Sequence, residues 1–148
     1  MKFSIDTLLP HSNDMIMIDE IVEISPEQIT AKRLIKEGDV YVSDAKLAGF
    51  AMLELMAQTI GAYAGYYAKT NGAKPTLGFL IGSRKFDILK DGIEVGVCVH
   101  IKAVCSIQDE SGFGVWDGEI YDQKQIYATA KLSVLSPNQE TLERMKSE

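Results

Sequence analysis

Between Gly49 and Lys69 the chain reads GFAMLELMAQTIGAYAGYYAK, an almost unbroken apolar run whose polarity is concentrated in Glu54 and Gln58. A helix that is apolar on nearly every side has to be buried in protein or in a membrane. Buried in protein, it needs something wrapped around it, and the rest of the chain reads as strands. Glu54 and Gln58 are four apart, so they stack on one face of the helix. A carboxylate inside such a helix is costly unless it has a partner or a task.

The run has the length of a membrane span, and Gly61 and Gly65 make a G-x-x-x-G. Alternating strand patterns lie on both sides of it, however, and the flanks, with Lys46 before it and Lys69 at its end, show no charge asymmetry to set an orientation. No membrane is therefore expected, and the two glycines are read as letting a sheet approach closely. At 148 residues, 46% of them hydrophobic, the chain suits a single domain, with residues 1–137 as core and 138–148 as a polar tail. A net charge of −6 and the lack of a basic stripe exclude nucleic acid as a partner. The opening MKFSIDTLLPH lacks the apolar run of a signal peptide, so a cytoplasmic location is expected. Cys98 and Cys105, seven apart in one apparent strand, fall on opposite faces and read as small buried or half-buried free thiols. No C-x-x-C pair or His cluster accompanies them, so no metal is expected.

Along the chain, residues 4–9 read as a helical turn with Ser4 as N-cap, stopped by Pro10. Met15 to Ile24 and Gln28 to Ile35 read as two strands joined at Ser25-Pro26-Glu27. Lys36 to Ala48 has little periodicity. The long helix follows and stops near Asn71-Gly72. Thr76 to Leu89 reads as a strand bent at Gly82. Ile93 to Ile107 alternates through Val95, Val97, Val99, Ile101, Ala103 and Cys105. Gly112 to Tyr121 and Gln125 to Leu135 complete the strands, with Ile126, Ala128, Ala130, Leu132 and Val134 facing one way. An antiparallel sheet curled around one central helix satisfies the burial problem, an α+β arrangement.

That order resembles the hotdog fold, and within it the FabZ/FabA type of beta-hydroxyacyl-acyl-carrier-protein dehydratase. LLPHSNDMIMIDEIVE resembles the opening LPH, apolar strand and Asp of that family. GFAMLELMAQ resembles its helix, with Gly49 five residues before the acid, Glu54, and Gln58 after it. FLIGSRKF resembles its G-S-x-K strand. The closer likeness is to a divergent branch, the ApeP-like dehydratases tied to aryl polyene biosynthesis, matched here by ELMAQTIGAYAG and GFLIGSR. One departure matters. The ordinary dehydratases carry a catalytic His in a G-H-F-P loop fourteen residues before the acid, and here that position is Val40, in Gly38-Asp39-Val40-Tyr41.

The resemblance implies removal of a proton alpha to a thioester carbonyl and protonation of the departing hydroxyl, both tasks for acid–base groups. It makes Glu54 the acid/base, the N–H of Gly49 a donor to the thioester oxygen, and Gln58 an orienting group. His11 would be the second catalytic group. Phe50, Met15, Met17, Met52, Met56, Gly82 and Arg84 would contact substrate, the methionines lining an acyl tunnel. Each residue has a plainer alternative. Glu54 could be a structural carboxylate paired with a loop N–H or a Lys, and Gln58 an amide serving neighbouring backbone. His11 could be a loop imidazole that fixes backbone groups near Pro10. His100, on the Glu94–Lys102 side of its strand, reads as solvated or cross-strand. Arg84, Lys85 and Lys90 could hold a pantetheine phosphate or an acidic carrier, or form a solvated edge.

The implied function is a beta-hydroxyacyl thioester dehydratase-like protein of fatty-acid or polyene-type biosynthesis. An acyl thioesterase, or a non-catalytic acyl-binding subunit of another hotdog dehydratase, are its alternatives. The missing His favours the last. No cofactor is implied, since the substrate rides on the phosphopantetheine of an acyl carrier protein or on coenzyme A. A homodimer is expected, or a heterodimer with another hotdog chain.

Overall fold

The structure, a computed structural model, describes residues 4–9, 15–72, 79–109 and 112–135. The expectations for Pro10, His11, the segment after Pro75 and the polar tail lie outside the described residues. A short helix α1 (Ile5–Leu8) precedes β1 (Glu20–Ser25), β2 (Gln28–Leu34), β3 (Val42–Ser43) and β4 (Lys46–Leu47). The long helix α2 (Ala51–Thr70) follows, then β5 (Phe79–Ile88), β6 (Ile93–Glu94), β7 (Cys98–Gln108), β8 (Phe113–Tyr121) and β9 (Ile126–Leu135). Six strands form one antiparallel sheet in the order β1-β2-β7-β8-β9-β5, and β3-β4-β6 form a small second sheet.

Alternate residues of the large sheet turn inward, as a pleated strand requires. Ile29 and Ala31 of β2, Val99, Ile101 and Ala103 of β7, and Ala128, Ala130, Leu132 and Val134 of β9 join one buried cluster. Met52, Leu55, Met56 and Ile60 of α2 belong to the same cluster, so the helix lies across the inner face. Gly118 of β8 brings the two together, since a methyl group there would sit 2.8 Å from the Met56 sulfur.

Gly61 and Gly65 serve a different neighbour from the one expected. A methyl on Gly65 would fall on the Leu8 carbonyl oxygen, and one on Gly61 would lie 3.1 Å from the Leu9 side chain. The G-x-x-x-G therefore seats α1 and not the sheet. Ser4 does stand at the N-cap of α1, yet its hydroxyl donates to Asp6 (2.6 Å) and caps no backbone N–H.

Two strand boundaries and the facing of two residues differ from the sequence pattern. The segment Met15–Asp19 is not strand, because the Met17 N–H is taken by the Gln58 side chain (2.7 Å). The ladder begins where the Asp19 N–H donates to the Lys32 carbonyl (2.8 Å). Ile93 to Ile107 is not one strand. At Val95–Val97 the chain leaves the small sheet, bonding to Ala45 and then Ile35, and Gly96 turns with φ +94° before β7 begins. Beyond a register shift at Cys105, Ile107 is exposed. Ile126 is exposed as well and does not share the inward face of Ala128, because the β8–β9 register shifts beside it. Where a bend at Gly82 was expected, the β5–β9 ladder shows register shifts, between Leu80 and Gly82 and between Ser83 and Lys85.

The aperiodic stretch after β2 is rigidly tied. Arg33 pairs with Asp19 and with Asp39, 2.9 Å in each case, and both carboxylates also accept backbone N–H groups, from Leu34 and Lys36 respectively. Asp44 (φ 53°) and Ala45 (φ 61°) form the two-residue turn between β3 and β4, whose strand twist favours positive φ.

Candidate functional site

Glu54 stands in the first turn of α2, half-buried, with Gln58 one turn further on. Gln58 is only 1% exposed and its amide is committed at both ends. The oxygen accepts the Met17 N–H, while the nitrogen donates to the Met15 carbonyl (2.9 Å) and to the Glu54 carboxylate (3.0 Å). The amide cannot flip without opposing donor to donor at Met17 and acceptor to acceptor at Met15. Its N–H is thereby aimed at Glu54. The same amide therefore bonds both the Glu54 carboxylate and neighbouring backbone.

The helix start differs in detail from the expected one. Phe50 is the N-cap and Ala51 the first helical residue, so Gly49 precedes the cap. The N–H groups of Ala51, Met52 and Leu53 bond back to Ala48, Gly49 and Phe50. Among the described residues the N–H groups of Gly49 and Phe50 find no backbone acceptor, which leaves donors where the helix dipole is positive. The absent Gly49 side chain makes room for Ile88, 3.3 Å from where a Cβ would lie.

The proposed substrate contacts are dispersed. Phe50 is 62% exposed at the helix start and Met15 is partly exposed beside Gln58. Met17 and Met52 are buried, and Met56 is packed against Gly118 beneath the sheet. Gly82 and Arg84 lie on β5, an edge strand of the large sheet, where a methyl on Gly82 would meet open space. His11 lies outside the described residues. His100 is on the face of β7 opposite Val99 and Ile101, stacked on Tyr121 with ring centroids 5.6 Å apart, which is the cross-strand role expected. It is remote from the helix side of the sheet.

Arg84, Lys85 and Lys90 do not converge. Lys85 lines a cleft of about 460 Å³ on the outer sheet face with Lys102, Asp117 and Lys131, whereas Lys90 lines another with Lys46 and Lys124. Both thiols are free. Cys98 is exposed, contrary to the buried or half-buried reading, and burial pushes the half-buried Cys105 thiol up from its ordinary range. Among the described residues, no three His, Cys, Asp or Glu side chains are grouped to hold a metal, and no helix is long and apolar enough to cross a membrane.

A family model described as ApeP-like, ApeP dehydratase, matches residues 3–146. The chain belongs to the ApeP-like dehydratase family. With that assignment come its dehydratase-like function and its hotdog, α+β fold. The ApeP-like chain is similar to a chain of the dehydratase heterocomplex ApeI:P from Xenorhabdus doucetiae, with a TM-score of 0.87, 25% identity and 100% of each chain covered. A hypothetical thioesterase with coenzyme A from Streptococcus pneumoniae superposes at TM-score 0.64, with 16% identity over 80% of this chain and 86% of that one. The E. coli PaaI protein of the phenylacetic acid degradation operon gives 0.60, with 15% identity over 79% and 82%. At those identities the last two share the fold with the ApeP-like chain. Among curated proteins no sequence match was found.

Two features of this region went unread in the sequence. Arg33 ties Asp19 to Asp39 across distant segments, and nothing in spacing announces such a triad. Tyr41 adopts φ 67° and lays its ring against Phe50, with centroids 5.2 Å apart and planes at 75°. Its place beside Val40, in the loop that departs from the usual dehydratases, was the available signal.

Proposed function

We propose that this chain dehydrates a beta-hydroxyacyl thioester carried on phosphopantetheine, with Glu54 as the proton-handling group. The observation that carries the reading is the Glu54 carboxylate, half-buried at the start of an apolar helix and fixed in direction by the buried Gln58 amide. In the reaction the Cα–H bond breaks, its electrons form the Cα=Cβ bond, and the Cβ–O bond opens as the hydroxyl takes a proton and leaves as water. Charge gathers on the thioester oxygen in between, where the N–H groups of Gly49 and Phe50 offer donors. Phe50, Met15, Met17, Met52, Met56, Gly82 and Arg84 remain the proposed substrate contacts, and His11 the proposed second proton-transfer group.

The non-catalytic reading has one observation in its favour. Val40 replaces the usual His, and the His described here lies on the far sheet face. A second hotdog chain would then complete the site, an assembly for which the heterocomplex of the similar ApeI:P protein is a precedent. We propose that the chain works in a dimer of hotdog chains in the cytoplasm.

The test incubates the chain, alone and with a second hotdog subunit, with beta-hydroxyacyl and enoyl carrier-protein thioesters. Loss or gain of water that Glu54→Gln abolishes supports the dehydratase, free thiol release indicates a thioesterase, and turnover only with the second subunit and untouched by Glu54→Gln, or no turnover in either setting, supports an acyl-binding subunit. Glu54→Gln is expected to lower turnover by roughly a hundred-fold or more while leaving the fold intact. Unchanged turnover would remove Glu54 from the chemistry.

A further inference from the structure

Tyr41 combines two properties that stability alone does not explain. Its backbone sits at φ 67°, in the left-handed region that costs a bulky residue free energy. Tyr41 is 42% exposed and its ring rests on Phe50, itself 62% exposed, so the strained conformation buries little. The loop that imposes this geometry is over-determined. Ala48 N–H donates to the Tyr41 carbonyl (2.9 Å) and Val42 N–H to the Asp39 carbonyl (3.1 Å), while Arg33 holds the Asp39 side chain (2.9 Å). A rigid frame thus presents two aromatic rings, edge to face, at the start of α2. Phe50 is four residues before Glu54 with helical backbone angles, so it stands one turn above the carboxylate on the same side. Ile88, an exposed apolar side chain, lies against Gly49, the residue before Phe50.

We propose that Tyr41, braced on Phe50, is a specificity-determining residue that contacts the apolar acyl group of a thioester whose reacting carbons lie at Glu54. This rests on the thioester reading above. The occupant is the acyl chain, because Phe50 precedes Glu54 by one helical turn at the donor-bearing helix start and Tyr41 rests on Phe50, while neither ring carries a charge to recognise a carrier or a phosphate. The ring face and the Ile88 side chain offer only dispersion and desolvation, so selectivity follows apolar surface. Long acyl groups gain from it and short ones do not.

Binding is read with thioether analogues of acyl-pantetheine, which cannot eliminate or hydrolyse, in a short and a long apolar series. Titrations use wild type, Tyr41→Phe and Tyr41→Asn, with the second hotdog subunit present in parallel samples. Asn tolerates the left-handed backbone, so Tyr41→Asn is expected to keep or raise the melting temperature. It is also expected to weaken long-chain binding roughly ten-fold while leaving short-chain binding unchanged. Tyr41→Phe keeps the ring and is expected to bind as wild type does. A merely structural Tyr41 would show the reverse, a lower melting temperature with the chain-length preference intact, and that result overturns the proposal. Because the analogues do not react, absence of turnover in the dehydration assay rejects the dehydratase reading without deciding this one. Equal loss of short-chain and long-chain binding in Tyr41→Asn would also reject the proposal.

Discussion

Gln58 shows how one buried amide can hold a loop and aim an acid. Replacing it with Leu, similar in volume, leaves the Met17 N–H and the Met15 carbonyl without their partner. Gln58→Leu is expected to cost about 1–3 kcal/mol, read as a lower urea midpoint with unchanged slope. The pairing of Glu54 with Gln58 was legible in the sequence because i and i+4 share a helix face. The Met17 partner was not, since it comes from 41 residues away and no periodicity encodes it. A second residue acts through pH. The Asp122 carboxylate accepts the N–H groups of Lys124 and Gln125 and the Tyr127 hydroxyl, and these bonds hold its pKa below the usual range. A depressed folded pKa contributes stability above the unfolded value and loses it as pH falls through the folded one. Wild type is therefore expected to lose melting temperature below about pH 4, and Asp122→Asn to lose less over that window.

At the scale of elements, the apolar helix and the inward sets of β7 and β9 could be read from period and composition. Where the pattern misled, a tertiary bond or a turn had intervened. Ile93, Val95 and Val97 continue the alternation of β7 on paper, yet Ile93 pairs in the small sheet and Val95–Val97 form a turn at Gly96, with the Val95 N–H bonded to Ala45. Gly61 and Gly65 looked alike in sequence but face different atoms. Gly65→Ala drives a methyl into the Leu8 backbone, which cannot yield without lifting α1, and is expected to destabilise by about 1–3 kcal/mol. Gly61→Ala meets only the end of the Leu9 side chain, which can move. Its better helix propensity of about 1 kcal/mol is expected to leave stability equal or higher. Thermal unfolding of the two variants side by side checks the contrast.

For the whole molecule, the architecture was legible because one all-round apolar helix among strands leaves few ways to bury it. The site was legible only in part. The Glu54 carboxylate and the Gln58 amide bonded to it lie on that helix, whereas Tyr41 and the Arg33 network depend on a loop whose sequence has no period. The proposed chemistry is tested most directly by isotope incorporation. An enoyl thioester is incubated in heavy water with the chain and a second hotdog subunit, and the beta-hydroxyacyl product is analysed for label at Cα. One deuterium at Cα with wild type, and none above background with Glu54→Gln, is the result expected if Glu54 handles that proton. Equal incorporation by both proteins would contradict it.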